Sequence, residues 1–282
     1  MNFIHEKPAA LITGASAGIG LELTRRLLSE DWQVIALNRS DFPRDDENIQ
    51  AALQTGRLRP YKTTDLADYA SLRRALEEIK AQEQQIDVLF NNAGRSFPEL
   101  SYSKQGREQH YELLTVVPYI ILMELKDLIQ RGHLKTVINT SSSALKMTKK
   151  FTLEILERPK TFRKLIGPYA TSKLALSLWT QAIAPRLARD GIKIRSVDPG
   201  GNNTLRKGKQ SGLPIIVSAI MKLVFPPPTH GANLLYEGAL GEHRDKTGVF
   251  LLKGQAAELK FQNEAQHVLD RVQEIYEHEF KL

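Results

Sequence analysis

Short apolar runs alternate with longer stretches of helical period along most of this chain. Ala9–Thr13 (AALIT) is apolar at every position but its last, the pattern of a strand covered on both faces. In IGLELTRRLLSE, which follows, Ile19, Leu23 and Leu27 share one helical face, with Leu28 beside them. WQVIALN, LRPYKTTDL, IDVLFNNAG, KTVINTSSS and IKIRSVDPG each hold a further strand, and TGVFLL (247–252) a seventh. Between them the pattern predicts a helix in SLRRALEEIKAQ with Ser71 as its N-cap, and a long helix in GREQHYELLTVVPYIILMELKDLIQRG that bends near Pro118. It predicts another from Tyr169 to Asp190 and a closing amphipathic helix near residues 262–279. Strands that alternate with helices imply βαβ units: an α/β fold, a doubly wound parallel sheet of about seven strands with helices on both faces. With no internal repeat, low-complexity linker or break in composition, residues 1–282 read as a single domain.

Composition narrows the classes. The 282 residues, 41% hydrophobic, suffice for one large domain. There is no cysteine, so disulfides and thiolate chemistry are excluded and a reducing compartment fits. Glu6 and Lys7 follow no apolar run, so no signal peptide is expected, and a cytoplasmic location is. The longest apolar run, Leu213 to Phe225, is interrupted by Lys222 and falls short of the roughly 18 to 20 residues of a membrane span. It reads as a lid or core helix, with membrane-surface contact as the alternative. No His/Asp/Glu ligand cluster is evident, and no metal is expected.

The net charge of +7 is compatible with nucleic acid or with a polyanionic small cofactor. Part of it sits near residues 145–166, in Lys146, Lys149, Lys150, Arg158, Lys160, Arg163 and Lys164 against Glu154 and Glu157. No aromatic residues alternate with these bases as a stacking platform would require, so the stretch reads as a solvated basic insertion and no nucleic-acid partner is expected.

Where the first strand meets its helix, TGASAGIG supplies Gly14, Gly18 and Gly20. Glycines there let backbone approach a pyrophosphate, and the helix N-terminus offers free N–H groups and positive dipole. This is the arrangement of a Rossmann-type dinucleotide site, although the spacing is GxxxGxG. The second strand ends in Asn38 and Arg39, where NAD-preferring sites place an acid. A missing acid removes repulsion against a 2′-phosphate and an arginine can pair with it, so NADP(H) is expected over NAD(H), with Asp41 close enough to blur the preference.

GPYATSK places Tyr169 and Lys173 four residues apart, one turn along a single helical face. A tyrosine of pKa about 10 is a poor acid or base at neutral pH, and lowering it by about two to three units takes roughly 3 to 4 kcal/mol. A close ammonium and an oxidised nicotinamide both favour the phenolate. By itself the spacing also suits a surface pair.

In order along the chain stand TGxxxGxG, NNAG at 91–94, INTSSS, YxxxK and DPGGNNT. Together they resemble the short-chain dehydrogenase/reductase family over essentially the whole chain. The resemblance implies that Gly14, Ser16, Gly18, Ile19 and Gly20 hold the pyrophosphate. It implies that Asp65 accepts from the adenine amine beside Leu66, and that Asn91 to Gly94, with Asn92 and Ala93 between them, pass the ribose. Ser142, Tyr169 and Lys173 would be the catalytic residues, with Pro199, Gly200 and Thr204 along the nicotinamide. Strand alternation turns Ser141 and Ser143 away from Ser142. The long interval from Ser142 to Tyr169 and the C-terminal sequence are most similar to the branch with retinol dehydrogenases and protochlorophyllide reductases. That branch implies a small-molecule carbonyl or alcohol substrate, bulky apolar ones included, and the family implies a homodimer or homotetramer. A lid is expected near residues 201–228.

One position departs from the family pattern: Leu114 stands where the family usually has an asparagine. Its carbonyl, freed by Pro118, or the hydroxyl of Thr115 are the substitutes on offer. The alternative is an NADP(H)-binding sensor or scaffold protein with little turnover.

Overall fold

The structure, a computed structural model, describes residues 7–201 and 226–281. Eight strands form one sheet: β1 (Ala9–Thr13), β2 (Gln33–Asn38), β3 (Leu58–Lys62), β4 (Val88–Asn91), β5 (Thr136–Thr140), β6 (Lys193–Val197), β7 (Val249–Leu252) and β8 (Gln255–Ala257). Their order is β3-β2-β1-β4-β5-β6-β7-β8, all parallel except β8, which pairs antiparallel with β7. The expected seven strands become eight because β8 is an edge strand of three residues, QAA, too short to show a period.

The continuous apolar runs are buried on both faces. Ala10, Ile12, Val34, Ala36, Val88 and Phe90 meet α1 (Gly18–Ser29), α2 (Glu47–Gln54) and α9 (Pro228–Leu240). Their alternate neighbours Leu11, Ile35, Leu37, Leu89, Val137 and Ile194 face the opposite layer. That layer holds α3 (Tyr69–Gln82), α5 (Val117–Glu124), α6 (Lys126–Arg131), α8 (Pro168–Arg189) and α10 (Ala265–Ile275). Two short helices, α4 (Gln109–Tyr111) and α7 (Leu153–Glu157), add Tyr111 and Leu156 to the same layer.

Asp68, not Ser71, caps α3, accepting from the N–H groups of Ala70 and Ser71 at 3.1 and 3.3 Å. Ser71 instead lies inside the first turn and accepts from Thr64 N at 2.9 Å. The expected long helix is divided among α4, a π-helical turn, α5 and α6, with a break at Leu125. A π-helical turn at Glu112–Val116 precedes Pro118, which has no N–H to give. Chain order reverses across β1 and β4, and such a switch point opens a crevice at the strands' carboxyl ends.

Candidate active site

Thr13 ends β1 and ties the crevice together. Its hydroxyl accepts from Asn92 N and Ala93 N at 3.0 and 2.9 Å, while Asn92 Nδ2 donates to its carbonyl at 3.0 Å. The glycine loop is pressed against this turn. A Cβ at Gly20 would lie 2.2 Å from the Gly14 carbonyl oxygen and 2.7 Å from Asn92 Nδ2. Gly14 itself sits at φ +70°, in the left-handed region.

Ser16, Gly18 and Ile19 are half-buried along the same turn. Ala17 opens α1 without a side-chain cap, and the first turn carries no acid. Its N–H groups and dipole therefore remain available to an anion, and a dinucleotide pyrophosphate fits this cradle.

At the end of β2, buried Asn38 donates through Nδ2 to Ser40 O at 3.0 Å. Exposed Arg39 lines a hollow of about 620 Å³ with Lys62, Thr63, Thr64, Ser71, Arg74, Ala75 and Glu78. Asp41 is paired with Lys62, which holds its carboxyl below the usual range. Asp65 accepts from Ala67 N at 3.0 Å, next to buried Leu66.

The three serines lie past the end of β5, where strand alternation no longer applies, and Ser143 opens a 3₁₀ turn capped by Ser142. Ser141 Oγ bonds Ser177 Oγ at 2.8 Å, inside the α8 packing. The Ser143 N–H donates to Asp198 Oδ1 at 3.0 Å. Ser142 Oγ accepts from Ala144 N at 3.2 Å and lies close enough to the Tyr169 phenol to favour its ionised form.

Tyr169 follows Pro168, the first residue of α8. Lys173, one turn on, is 4% exposed and donates to the Thr140 carbonyl at 2.5 Å. Gly94 closes against it: a Cβ there would lie 3.7 Å from Lys173 Nζ and 2.8 Å from Leu114 Cδ2. Leu114 thus packs its side chain beside the amine. Thr115 is engaged elsewhere, donating to Ser172 O at 2.8 Å. Pro199 and Gly200 follow β6, whereas Thr204 and most of the expected lid lie outside the described residues.

The electrostatics differ from the sequence expectation of a lowered phenol. Burial pushes Tyr169 above its ordinary value, hydrogen bonding to Ser142 pulls it back, and the Asp198 charge adds to the rise. Burial also brings the Lys173 amine down to about 7, with Asp198 opposing. Desolvation thus outweighs the Ser142 hydrogen bond at the phenol and the Asp198 charge at the amine.

Two buried groups near the phenol escaped sequence reasoning. His110 Nε2 accepts from Phe97 N at 2.9 Å, so its Nδ1–H donates to Glu108 Oε1 at 2.7 Å. Its ring stands edge-on to Tyr169, with centroids 5.9 Å apart. Asp198, 2% exposed, is the other. The only signal for His110 was its place in a polar run before an apolar helix, while Asp198 looked like a turn residue before Pro199.

Residues 8–153 match the short chain dehydrogenase family. The chain belongs to that family. It is 27% identical over 259 residues to polyprenol dehydrogenase of Danio rerio, covering 88% of this chain and 79% of that protein. It is 30% identical over 192 residues to retinol dehydrogenase 12 of Bos taurus, covering 67% of this chain but 60% of the relative.

Among solved structures, the NADPH-bound carbonyl reductase from chicken fatty liver superposes with a TM-score of 0.63 at 19% identity. That match covers 89% of this chain and 98% of the other. An oxidoreductase from Brucella ovis with partially ordered NAD gives 0.58 at 21% identity, covering 87% and 99%. The similarity to both lies in the fold, and it is a fold that holds a nicotinamide nucleotide in each. No helix among the described residues is long and apolar enough to cross a membrane.

Proposed function

We propose that the chain is an NADP(H)-dependent oxidoreductase that moves a hydride between nicotinamide C4 and the carbon of a carbonyl or alcohol. One observation carries this reading. Ser142, Tyr169 and the buried Lys173 gather at the carboxyl ends of the central strands, beside an uncapped, glycine-built anion cradle.

When bound, the nicotinamide supplies or accepts the hydride. The protein's own residues handle the oxygen. Ser142 donates a hydrogen bond to the substrate oxygen, and Tyr169 delivers the proton in reduction or removes it in oxidation. Lys173 anchors the ribose hydroxyls. A phenol held above its ordinary value keeps its proton at neutral pH, and that form suits reduction.

The preference for NADP(H) rests on Arg39, Lys62 and Arg74 around the hollow past β2, where Lys62 also offsets the charge of Asp41. The substrate we favour is a bulky apolar carbonyl or alcohol. Phe97 and His110 pack edge to face at 4.9 Å, and Phe162 stacks on His110 at 6.3 Å, which walls the phenol with rings. Relatives named for polyprenol and retinol agree with that wall. Any homodimer or homotetramer forms away from the outer face of α8, because α10 packs there with Val268, Leu269 and Val272.

Leu114 supports a second reading, a protein that binds the nucleotide with little turnover. NADPH absorbance followed with aldehydes and ketones of increasing apolar length separates the two. Turnover rising with length supports the enzyme. Binding without turnover, unrescued by Leu114→Asn, supports the sensor.

A further inference from the structure

Among the described residues the large hydrophobic side chains left exposed are Tyr102, Met147, Leu165 and Ile166. Three of these four lie in the stretch between Ser142 and Tyr169. The same stretch carries Lys146, Lys149, Lys150, Arg158, Lys160, Arg163 and Lys164, every one exposed. No ion pair among the described residues holds any of the seven. Of its two acids, Glu157 is already bound by Arg271 at 2.5 Å, so Glu154 alone offsets the cations.

The stretch is also joined at its two ends to Ser142 and Tyr169. Met147 ends a 3₁₀ turn that begins at Ser143, which puts it roughly 10 Å from Ser142. Leu165 and Ile166 precede Tyr169 by four and three residues, at most about 14 Å along the chain. Phe162, half-buried, turns inward onto His110 and so toward the phenol. Leu165 is held at φ +67°, a left-handed backbone that leucine rarely adopts, with its side chain half in solvent. Water gives no reason to hold an apolar side chain this way.

We propose that this face docks on an anionic lipid bilayer. Met147, Leu165 and Ile166 enter the headgroup layer, and the surrounding lysines and arginines meet lipid phosphates and carboxylates. A bilayer fits better than nucleic acid, because the three apolar side chains gain from hydrocarbon and gain nothing from a phosphate backbone. Docking would bring the site's mouth to the interface, so that an apolar alcohol or carbonyl could enter without crossing water. That benefit rests on the substrate proposed above; the docking does not.

Flotation of the purified chain with phosphatidylcholine vesicles, with and without phosphatidylserine, tests this. Partition should be about tenfold or more higher on the anionic vesicles and fall at high salt. Leu165→Gly relaxes the backbone, so thermal stability should hold while partition drops by about three- to tenfold. Arg163→Glu with Lys164→Glu should reduce binding to the level of neutral vesicles.

Three results overturn the proposal: no partition to anionic vesicles at low salt, partition unchanged in these variants, or displacement from vesicles by duplex DNA. Because no cofactor or substrate is added, a chain inactive on every carbonyl can still dock. A chain that fails to dock can still turn over.

Discussion

The two ends of the proposed site are built in opposite ways. The nucleotide end is made of backbone and exposed charge: a glycine turn, an uncapped helix and the open cations Arg39, Lys62 and Arg74. The catalytic end is made of buried side chains, with Lys173 and Asp198 almost without exposure and the Tyr169 phenol desolvated. Screening limits what any one exposed cation contributes. Desolvation makes each buried group's protonation depend on its few neighbours. Substitutions at the first end should therefore grade affinity, and substitutions at the second should move pH dependence and turnover.

The largest effect expected is on stability. Lys173 has a folded pKa of about 7 against an ordinary 10.5. Between these values the unfolded chain binds a proton that the folded chain has released, so this residue makes stability rise with pH across that window. Its penalty is fully present below about 7. Lys173→Met removes the slope. Compared by urea unfolding at pH 6 and pH 10, the variant should lose ground to the wild type by at most about 5 kcal/mol. Parallel pH curves would mean the amine is hydrated, and the contrast between the two ends would fail.

Next comes Gly20→Ala. Its methyl meets the Gly14 carbonyl, and a strain of about 3 kcal/mol corresponds to a roughly hundredfold loss of NADPH affinity by fluorescence titration. Unchanged affinity would show that the loop has room to spare. Arg39→Ala should weaken NADPH by about tenfold and leave NADH alone; equal losses would remove the 2′-phosphate from the account.

The smallest effect is a difference in pH profile. Reduction needs the protonated phenol and should stay flat through neutral pH. Alcohol oxidation needs the phenolate and should climb toward the raised pKa. Coinciding profiles would mean that another group moves the proton.

Much of this was legible in the sequence because its signals are local. A strand buried on both faces reads as an unbroken apolar run, and Ala9–Thr13 has the same bounds in the pattern and in the fold. The glycine turn and the YxxxK pair are short-range devices, visible wherever a strand or helix can be placed. Signals carried by distant partners were not legible. Ser71 looked like a cap, but the hydroxyl bonds back to Thr64 while Asp68 satisfies the helix end. The α9 and β8 elements, rich in small or polar residues, gave no clear period. His110 gains meaning only when the fold sets it between Phe97 and Tyr169, and Asp198 only when β6 brings it to Ser143. The sign of the Tyr169 shift was lost for the same reason, since burial belongs to the folded chain and not to a helical repeat.

The central claim is that the Tyr169 hydroxyl carries the proton while the rest of the site holds the nucleotide. Tyr169→Phe removes that one oxygen and leaves the ring against His110. NADPH oxidation with an apolar aldehyde, measured beside NADPH affinity on the same preparation, should fall by about 10²- to 10⁴-fold with affinity unchanged. A variant that keeps most of its turnover would contradict the account.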